Sequence, residues 1–189
     1  MKKIFYVIVV TIAMTQWSHA QEENKFRAGL DLGYAIPDGG GGIIIALEPK
    51  YNIADNMNVG LRIESAAMAK NVSSDGISVE SNIAASSSFT GTFDYYFASG
   101  SSSFAPFLGA GVGYSSLANV KLSIGELSDE AEVDGKFGGL VRTGFELGKL
   151  RLAATYNLIG KSDVNGSEIK NSYIGISLGF YVGGGKWKN

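Results

Sequence analysis

The chain has 189 residues, a formal net charge of −2 and 45% hydrophobic residues, which allows one domain with one core and, with no basic tract, gives nucleic acid no electrostatic footprint. It contains no cysteine, so disulfides, thiolate metal sites and a lipid-anchored N-terminal cysteine are excluded. Twenty-six glycines, three prolines and nine tyrosines suit strands and turns better than helices.

Residues 1–20 stand apart from the rest. Lys2 and Lys3 are followed by the mainly apolar run Ile4–Met14, and Ser18 and Ala20 place small residues at the −3 and −1 positions of a signal-peptidase site. The apolar run has eleven residues, whereas a spanning helix needs about 20. The expectation is a signal peptide over 1–20, cut between Ala20 and Gln21, and a single domain over 21–189. Its removal takes away Lys2, Lys3 and His19, the sole histidine, and moves the net charge from −2 to −4.

Beyond Ala20 no run is long and apolar enough for a spanning helix. Eight period-two segments recur instead, separated by Gly, Ser, Asn and Asp clusters. The first, 25–36, sets Phe26, Leu30, Leu32, Tyr34 and Ile36 opposite Arg27, Gly29, Asp31 and Gly33. The second, 43–53, sets Ile43, Ile45, Leu47, Tyr51 and Ile53 opposite Ala46, Glu48, Lys50 and Asn52. The third, 57–69, sets Val59, Leu61 and Ile63 opposite Asn58, Arg62 and Glu64. The fourth, 83–97, sets Phe89, Phe93, Tyr95 and Phe97 opposite Thr90, Thr92, Asp94 and Tyr96.

In the fifth, 104–116, Leu108, Ala110, Val112 and Tyr114 alternate with Gly109, Gly111, Gly113 and Ser115. The sixth, 137–147, sets Val141, Phe145 and Leu147 opposite Arg142, Gly144 and Glu146. The seventh, 150–160, sets Leu150, Leu152, Tyr156 and Leu158 opposite Arg151, Thr155 and Asn157. The eighth, 172–182, sets Ile174, Ile176, Leu178, Phe180 and Val182 opposite Gly175, Ser177, Gly179 and Tyr181. The connections are 37–42, the tight Asp55–Asn56 turn, 71–82, a Ser/Gly turn at 99–103, a long loop at 117–136, the tight Gly148–Lys149 turn and 161–171. Segments of this length match tilted membrane strands of about 9–11 residues, and short turns opposite long loops suit an outer-membrane barrel. The expected fold is all-β: a closed eight-stranded antiparallel up-and-down transmembrane barrel.

Alternation alone leaves open which face meets solvent, since a lipocalin-like barrel buries its apolar face and a membrane barrel exposes it. The apolar face of every segment lacks Lys, Arg, Asp and Glu, each of which costs about 2–4 kcal/mol at a bilayer midplane. The other face carries Gly109, Gly111, Gly113, Gly175 and Gly179, which leave room for larger neighbours in a narrow lumen. It also carries five cations, Arg27, Lys50, Arg62, Arg142 and Arg151, against five anions, Asp31, Glu48, Glu64, Asp94 and Glu146. Equal numbers suit a buried structural network, because an unpaired buried charge is expensive. Tyr51, Tyr95, Phe97, Phe145 and Trp187 fall near the periplasmic strand ends, and Tyr34 and Tyr114 near the outer ends, where amphipathic rings favour the interface.

With the signal MKKIFYVIVVTIAMTQWSHA, the strand FAPFLGAGVGY and the closing strand NSYIGISLGFYVGGGKWKN, residues 21–189 resemble the eight-stranded outer-membrane β-barrel family of OmpX and the membrane domain of OmpA. The usual terminal strand ends on an aromatic residue. Here Lys188 and Asn189 follow Trp187, and the GGGK-like tail resembles barrels of the Bacteroidetes group. The resemblance implies an integral outer-membrane protein in contact with lipid and lipopolysaccharide, delivered by periplasmic chaperones and the barrel-insertion machinery. No peptidoglycan-binding extension is expected after the last strand.

The expected function is non-enzymatic: a scaffold presenting loops for adhesion, host contact or membrane integrity, its extracellular ligand unspecified. The alternative is a small solute or ion channel, which a filled eight-stranded lumen disfavours. A lipid-modifying barrel enzyme is the third reading. Barrels resembling lipid A deacylases, outer-membrane phospholipases or omptin-type proteases use a histidine, and the segment after Ala20 has none. No catalytic, cofactor-binding or metal residue is assigned. The GAGVGY run lacks the βαβ context of a dinucleotide site, Gly39–Gly42 reads as a flexible loop, and Glu126, Asp129, Glu130, Glu132 and Asp134 read as a solvated acidic loop without EF-hand spacing.

Overall fold

The computed structural model describes residues 22–38, 40–72, 80–97, 104–122, 132–164, 167–169 and 171–184. The signal segment with Ala20 and Gln21, the tail with Trp187, and Glu126, Asp129 and Glu130 lie outside the described residues. The strands are β1 (Phe26–Pro37), β2 (Gly40–Ala54), β3 (Met57–Val72), β4 (Glu80–Tyr96), β5 (Phe104–Leu122), β6 (Glu132–Leu147), β7 (Leu150–Ile159), β8 (Ser162–Val164), β9 (Ser167–Ile169) and β10 (Tyr173–Gly183).

Seven of these strands and β10 close into one barrel in the order β1-β10-β7-β6-β5-β4-β3-β2. Every neighbouring pair is antiparallel. The architecture is the closed eight-stranded up-and-down barrel implied by the alternation. Closure comes from β1 and β10, which pair from Arg27↔Gly183 to Pro37↔Tyr173. The short β8 and β9 form a separate hairpin in the link between β7 and β10.

Several boundaries differ from the expected ones, most of them on the same side of the barrel. β2 begins at Gly40, so the glycine run expected as a flexible loop is largely strand, paired as Gly40↔Lys70, Gly41↔Ala69 and Gly42↔Met68. The long loop expected at 117–136 is also largely strand: β5 runs on to Leu122 and β6 starts at Glu132, with Leu117↔Asp134 and Asn119↔Glu132 in register. Glu132 and Asp134 therefore belong to a strand. The apolar rhythm fades where the wall leaves hydrocarbon, while backbone pairing continues. Ser65, Ser87 and Ser116 continue the outward face at one level, since Ser87 pairs with both Ser65 and Ser116, and the Ser65 and Ser87 hydroxyls lie 3.4 Å apart.

Local chemistry sets the tight connections. Gly148 takes φ 63° at the first position of the β6–β7 hairpin turn, a conformation glycine adopts without steric cost. At the β2–β3 turn the register shifts between Asn52↔Asn58 and Ala54↔Met57, a β-bulge that leaves Ile53 unpaired.

The outside of the barrel is an apolar belt. Leu30, Leu32, Ile45, Leu47, Leu61, Phe89, Leu108, Val141, Leu152, Leu158, Ile176 and Leu178 are each 40% exposed or more. Rings ring its lower edge in contacting pairs: Phe26–Tyr51 at 4.8 Å, Tyr95–Phe97 at 5.0 Å and Phe104–Phe145 at 5.1 Å between centroids. At the upper edge Tyr114 meets Phe137 at 5.4 Å. Two upper tyrosines also cover glycines of the neighbouring strand: a β-carbon at Gly41 would collide with the Tyr34 hydroxyl, and one at Gly135 with that of Tyr114.

A charge in this belt opposes insertion. Leu152→Arg places a guanidinium among hydrocarbon at a cost of about 2–4 kcal/mol at the midplane. The expected result is a smaller fraction of the heat-modifiable folded band after refolding into lipid vesicles, whereas Leu152→Ile folds like the native chain.

Candidate functional site

The inward face of the strands converges on a filled lumen. Arg27, Asp31, Glu48, Lys50, Arg62, Glu64, Asp94, Arg142, Glu146 and Arg151 all lie between 0% and 3% exposed. Every one of them is in an ion pair. Five cations meet five anions, so the set is neutral when all ten are ionised.

Glu48 and Asp94 are the hubs. The Arg142 guanidinium donates to Glu48 at 2.6 and 3.1 Å and to Asp94 at 2.8 and 3.0 Å, bridging β2 and β4 from β6. Lys50 donates to Asp94 at 2.5 Å and lies 3.5 Å from Glu48. Arg151 reaches both carboxylates at longer range, 3.6 and 3.4 Å. Arg62 links this centre to a second group, pairing with Asp31 at 2.5 Å, Glu64 at 2.7 Å and Glu48 at 3.5 Å. Toward the periplasmic end Arg27 forms a two-pronged pair with Glu146 at 2.7 and 2.8 Å. Arg142 and Glu146 share a strand face but do not pair with each other. They sit four residues apart on an extended chain, and each finds a partner across the lumen instead.

Tyrosines supply donors that the carboxylates need. Tyr181 accepts from Arg151 at 2.7 Å and donates to Glu48 at 3.0 Å. Tyr96 accepts from Arg27 and donates to Glu146 at 2.8 Å. Tyr173 donates to Glu64 at 2.5 Å, which Asn157 also approaches at 3.3 Å. Thr92 adds a bond to Glu48 at 2.8 Å. Arg27 lies 4.6 Å from the Tyr181 ring centroid and Arg151 4.0 Å from that of Phe107, within range of a cation–π attraction.

Parity already places Tyr96 and Tyr181 on the inward face, but not as members of the network. Tyr173 shares the parity of Gly175 and Ser177, and following that parity one step further along the strand would have found it.

The lumenal glycines create the space this network fills. A β-carbon at Gly109 would run into the Asp94 carboxylate, one at Gly179 into that of Asp31, and one at Gly29 into the Tyr181 ring. Gly175 instead makes room for Ile44.

Apolar layers close the network at both ends. Tyr96, Ala105, Phe107 and Ala153 cluster below. Ala35, Ile44, Ala66, Met68, Leu117, Ile159 and Tyr173 cluster above. Ala35 falls on the inward face by parity, but most of the upper cluster escapes the sequence reading because its members are apolar on a face identified by polarity. Ile44 is the clearest case: the parity that turns Ile43 and Ile45 outward turns it inward, but its apolar side chain set it apart from the polar residues by which that face was identified.

A closed barrel with paired charges inside and an uncharged apolar belt outside is a transmembrane β-barrel. Its fold is that of the OmpX-like eight-stranded outer-membrane barrels. Among solved structures the chain is similar to Neisserial surface protein A, NspA, with a TM-score of 0.52 at 17% identity over 84% of this chain and 95% of that one. It is also similar to the outer membrane protein OprG from Pseudomonas aeruginosa, with a TM-score of 0.53 at 14% identity over 86% of this chain and 98% of that one. No family model matches the chain, and a search of curated proteins gives no match. The likeness is one of fold, a closed barrel whose uncharged apolar belt suits a membrane.

The network makes unequal demands on its members. Arg142→Met strands Glu48 and Asp94 without their main donor and is expected to destabilise the barrel by about 3–5 kcal/mol if the site is dry. Arg27 and Glu146 pair with each other, so Arg27→Met with Glu146→Gln removes both charges together and is expected to cost less than Arg27→Met alone. Urea unfolding in lipid vesicles, followed by loss of the heat-modifiable band, measures both.

Proposed function

We propose that the chain is a non-enzymatic scaffold, made with residues 1–20 as a removable export signal and cut between Ala20 and Gln21. In this reading residues 21–189 are carried by periplasmic chaperones to the barrel-insertion machinery. The finished barrel then holds its outer connections at the cell surface for adhesion, host contact or membrane integrity. The observation that carries the reading is the filled lumen. Arg151, Tyr96, Tyr181, Lys50, Phe107 and Ile44 are among the largest side chains buried below 2% exposure, and they occupy the axis along which a solute would pass. Interiors of eight-stranded barrels are only just wide enough for side chains to fill, and here ion pairs hold Lys50 and Arg151 while hydrogen bonds to Glu146 and Glu48 hold Tyr96 and Tyr181.

The same filling argues against catalysis. The lumenal carboxylates and tyrosines are engaged with one another, and the segment after Ala20 has no histidine to serve as a general base. What remains for function is the outer end, where β3 to β6, with 16, 17, 19 and 16 residues, exceed the roughly 9–11 needed to cross the bilayer. Such projecting walls and the connections they carry suit contact with a partner.

Two measurements test this. In planar bilayers the purified barrel is expected to give no steady conductance steps, and regular steps would favour the channel reading. The absence of native cysteine permits labelling of single-cysteine variants on intact cells. Asp38→Cys is expected to react with an impermeant maleimide and Lys149→Cys to react only after the outer membrane is permeabilised. The opposite pattern would invert the orientation and remove the proposed surface role.

A further inference from the structure

The segments that flank β1 and β10 converge on the lower mouth of the barrel, and one buried side chain joins them. Asn52, near the lower end of β2, turns inward and is 0% exposed. Its Nδ2 amide donates to the Glu22 carbonyl at 2.8 Å and to the Gly184 carbonyl at 3.2 Å. Glu22 precedes β1 and Gly184 follows β10, so a single amide ties together the approaches to the two strands that close the sheet. Glu22 is half-buried and Gly184 buried.

Left-handed residues bend both segments into place. Before β1, Asn24 has φ 61° and is the one non-glycine with positive φ among the described residues. Asparagine tolerates that region because its short side chain bonds locally, and here Asn24 Oδ1 accepts from the Tyr51 hydroxyl at 3.0 Å. The Asn24 N–H donates to the Asn52 carbonyl at 2.9 Å and the Asn52 N–H to the Lys25 carbonyl at 3.0 Å. The Glu23 N–H donates to Asp55 Oδ1 at 2.9 Å. At the other end Gly183 and Gly184 have φ 80° and 82°. The Gly184 N–H donates to the Phe26 carbonyl at 2.8 Å, and a β-carbon at Gly183 would collide with that same carbonyl. The Lys149 ammonium donates to the Gly183 carbonyl. Two glycines of the GGGK run therefore have a structural task.

The lowest layer of the lumen lies directly behind this joint. Asn58 is the second residue of β3 and pairs with Asn52 in register. An open mouth would wet a side chain so near the strand end, yet Asn58 is 0% exposed, and Arg27, Tyr96 and Glu146 are at 3%, 1% and 1%. We propose that the two flanking segments form a stopper, latched by Asn52, that closes the lower mouth to small solutes and keeps the Arg27–Glu146 pair dry. The stopper differs from the filling above it. Side chains of the wall fill the lumen, whereas the stopper is held by a few local hydrogen bonds below the apolar belt. Elements held this way open at lower free energy than the strands they cover, so entry to the lumen from below is set by the latch and not by the wall.

The mouth is the periplasmic one in the orientation proposed above. The test uses the full exported chain folded in detergent micelles, where a reagent reaches both ends, so its outcome is independent of that orientation. Asn58→Cys places a thiol behind the latch, and methyl methanethiosulfonate is expected to react with it slowly. Adding Asn52→Ala removes both carbonyl bonds and is expected to speed the reaction about ten-fold, the scale of one or two ordinary hydrogen bonds. Asn24→Val, which sets a β-branched residue at positive φ without touching the wall, is expected to speed it as well. Asn24→Gly adopts that φ freely and leaves the reaction slow. The heat-modifiable band confirms that each variant is folded. In the chain without the added cysteine, amide exchange at Gly184 is expected to quicken in Asn24→Val and not in Asn24→Gly, a reading that stands even where Asn58→Cys or Asn52→Ala lowers the yield of folded barrel. Fast reaction of Asn58→Cys behind an unaltered latch, or reaction and exchange indifferent to Asn24→Val in folded barrels, would overturn the proposal.

Discussion

A strand crossing hydrocarbon has no water to hydrogen-bond with, so every backbone N–H and C=O along it needs a partner in the chain itself. The rest of this molecule follows from that requirement. An open sheet leaves two edges unpaired, and only closure removes both. Here the first and last barrel strands meet that need with register from Arg27↔Gly183 to Pro37↔Tyr173. Pro49, which has no N–H to give, falls on β2 where its pairing with β3 is interrupted between Leu47↔Ile63 and Lys50↔Gly60.

Closing eight strands fixes a narrow interior, and period-two geometry sends every second side chain into it. Charges excluded from the lipid face can reside there only as neutral combinations. The structure solves this with five cations and five anions arranged so that each carboxylate meets an arginine or lysine and, for Glu48, Glu64 and Glu146, a tyrosine hydroxyl as well. Such a network is no more stabilising than an apolar core of equal volume, since desolvation offsets much of the Coulomb gain. Its consequence is intolerance of partial loss. Glycine is the counterpart of this filling, because Gly109, Gly179 and Gly29 yield their side-chain volume to Asp94, Asp31 and Tyr181.

The fold was legible because the bilayer imposes one rule on every strand: Leu30, Leu61, Leu108 and Leu178 must face out, so Asp31, Arg62, Gly109 and Gly179 must face in. Where the rule lapses, legibility lapses too. Beyond the bilayer Ser116 and Ala118 carry no apolar signal, and the upper parts of β5 and β6 read as a loop although their backbones pair. Inside, the ten charged residues could be enumerated from parity, but their partners could not. Which arginine meets which carboxylate depends on the stagger between strands and on reach across the lumen, and neither is written in a local pattern. Arg142 illustrates this, passing over Glu146 on its own strand for Glu48 and Asp94. Apolar members of the lumen, Ile44, Met68, Leu117 and Ile159, were hidden for the converse reason, since nothing in their chemistry distinguishes them from lipid-facing neighbours.

The ion pairs also bear on how the barrel is made. Arg27 and its partner Glu146 are 119 residues apart in the chain, and Tyr181 and Glu48 are 133 apart. No early hairpin contains both halves of such a pair. A growing sheet that entered hydrocarbon strand by strand would carry Arg27 into the membrane before its counter-charge Glu146 had been threaded into place. Loop-closure entropy for contacts this distant is met only when most of the sheet is already assembled. The pairs of Arg27 with Glu146 and of Tyr181 with Glu48 are therefore complete only once most of the barrel has been brought together.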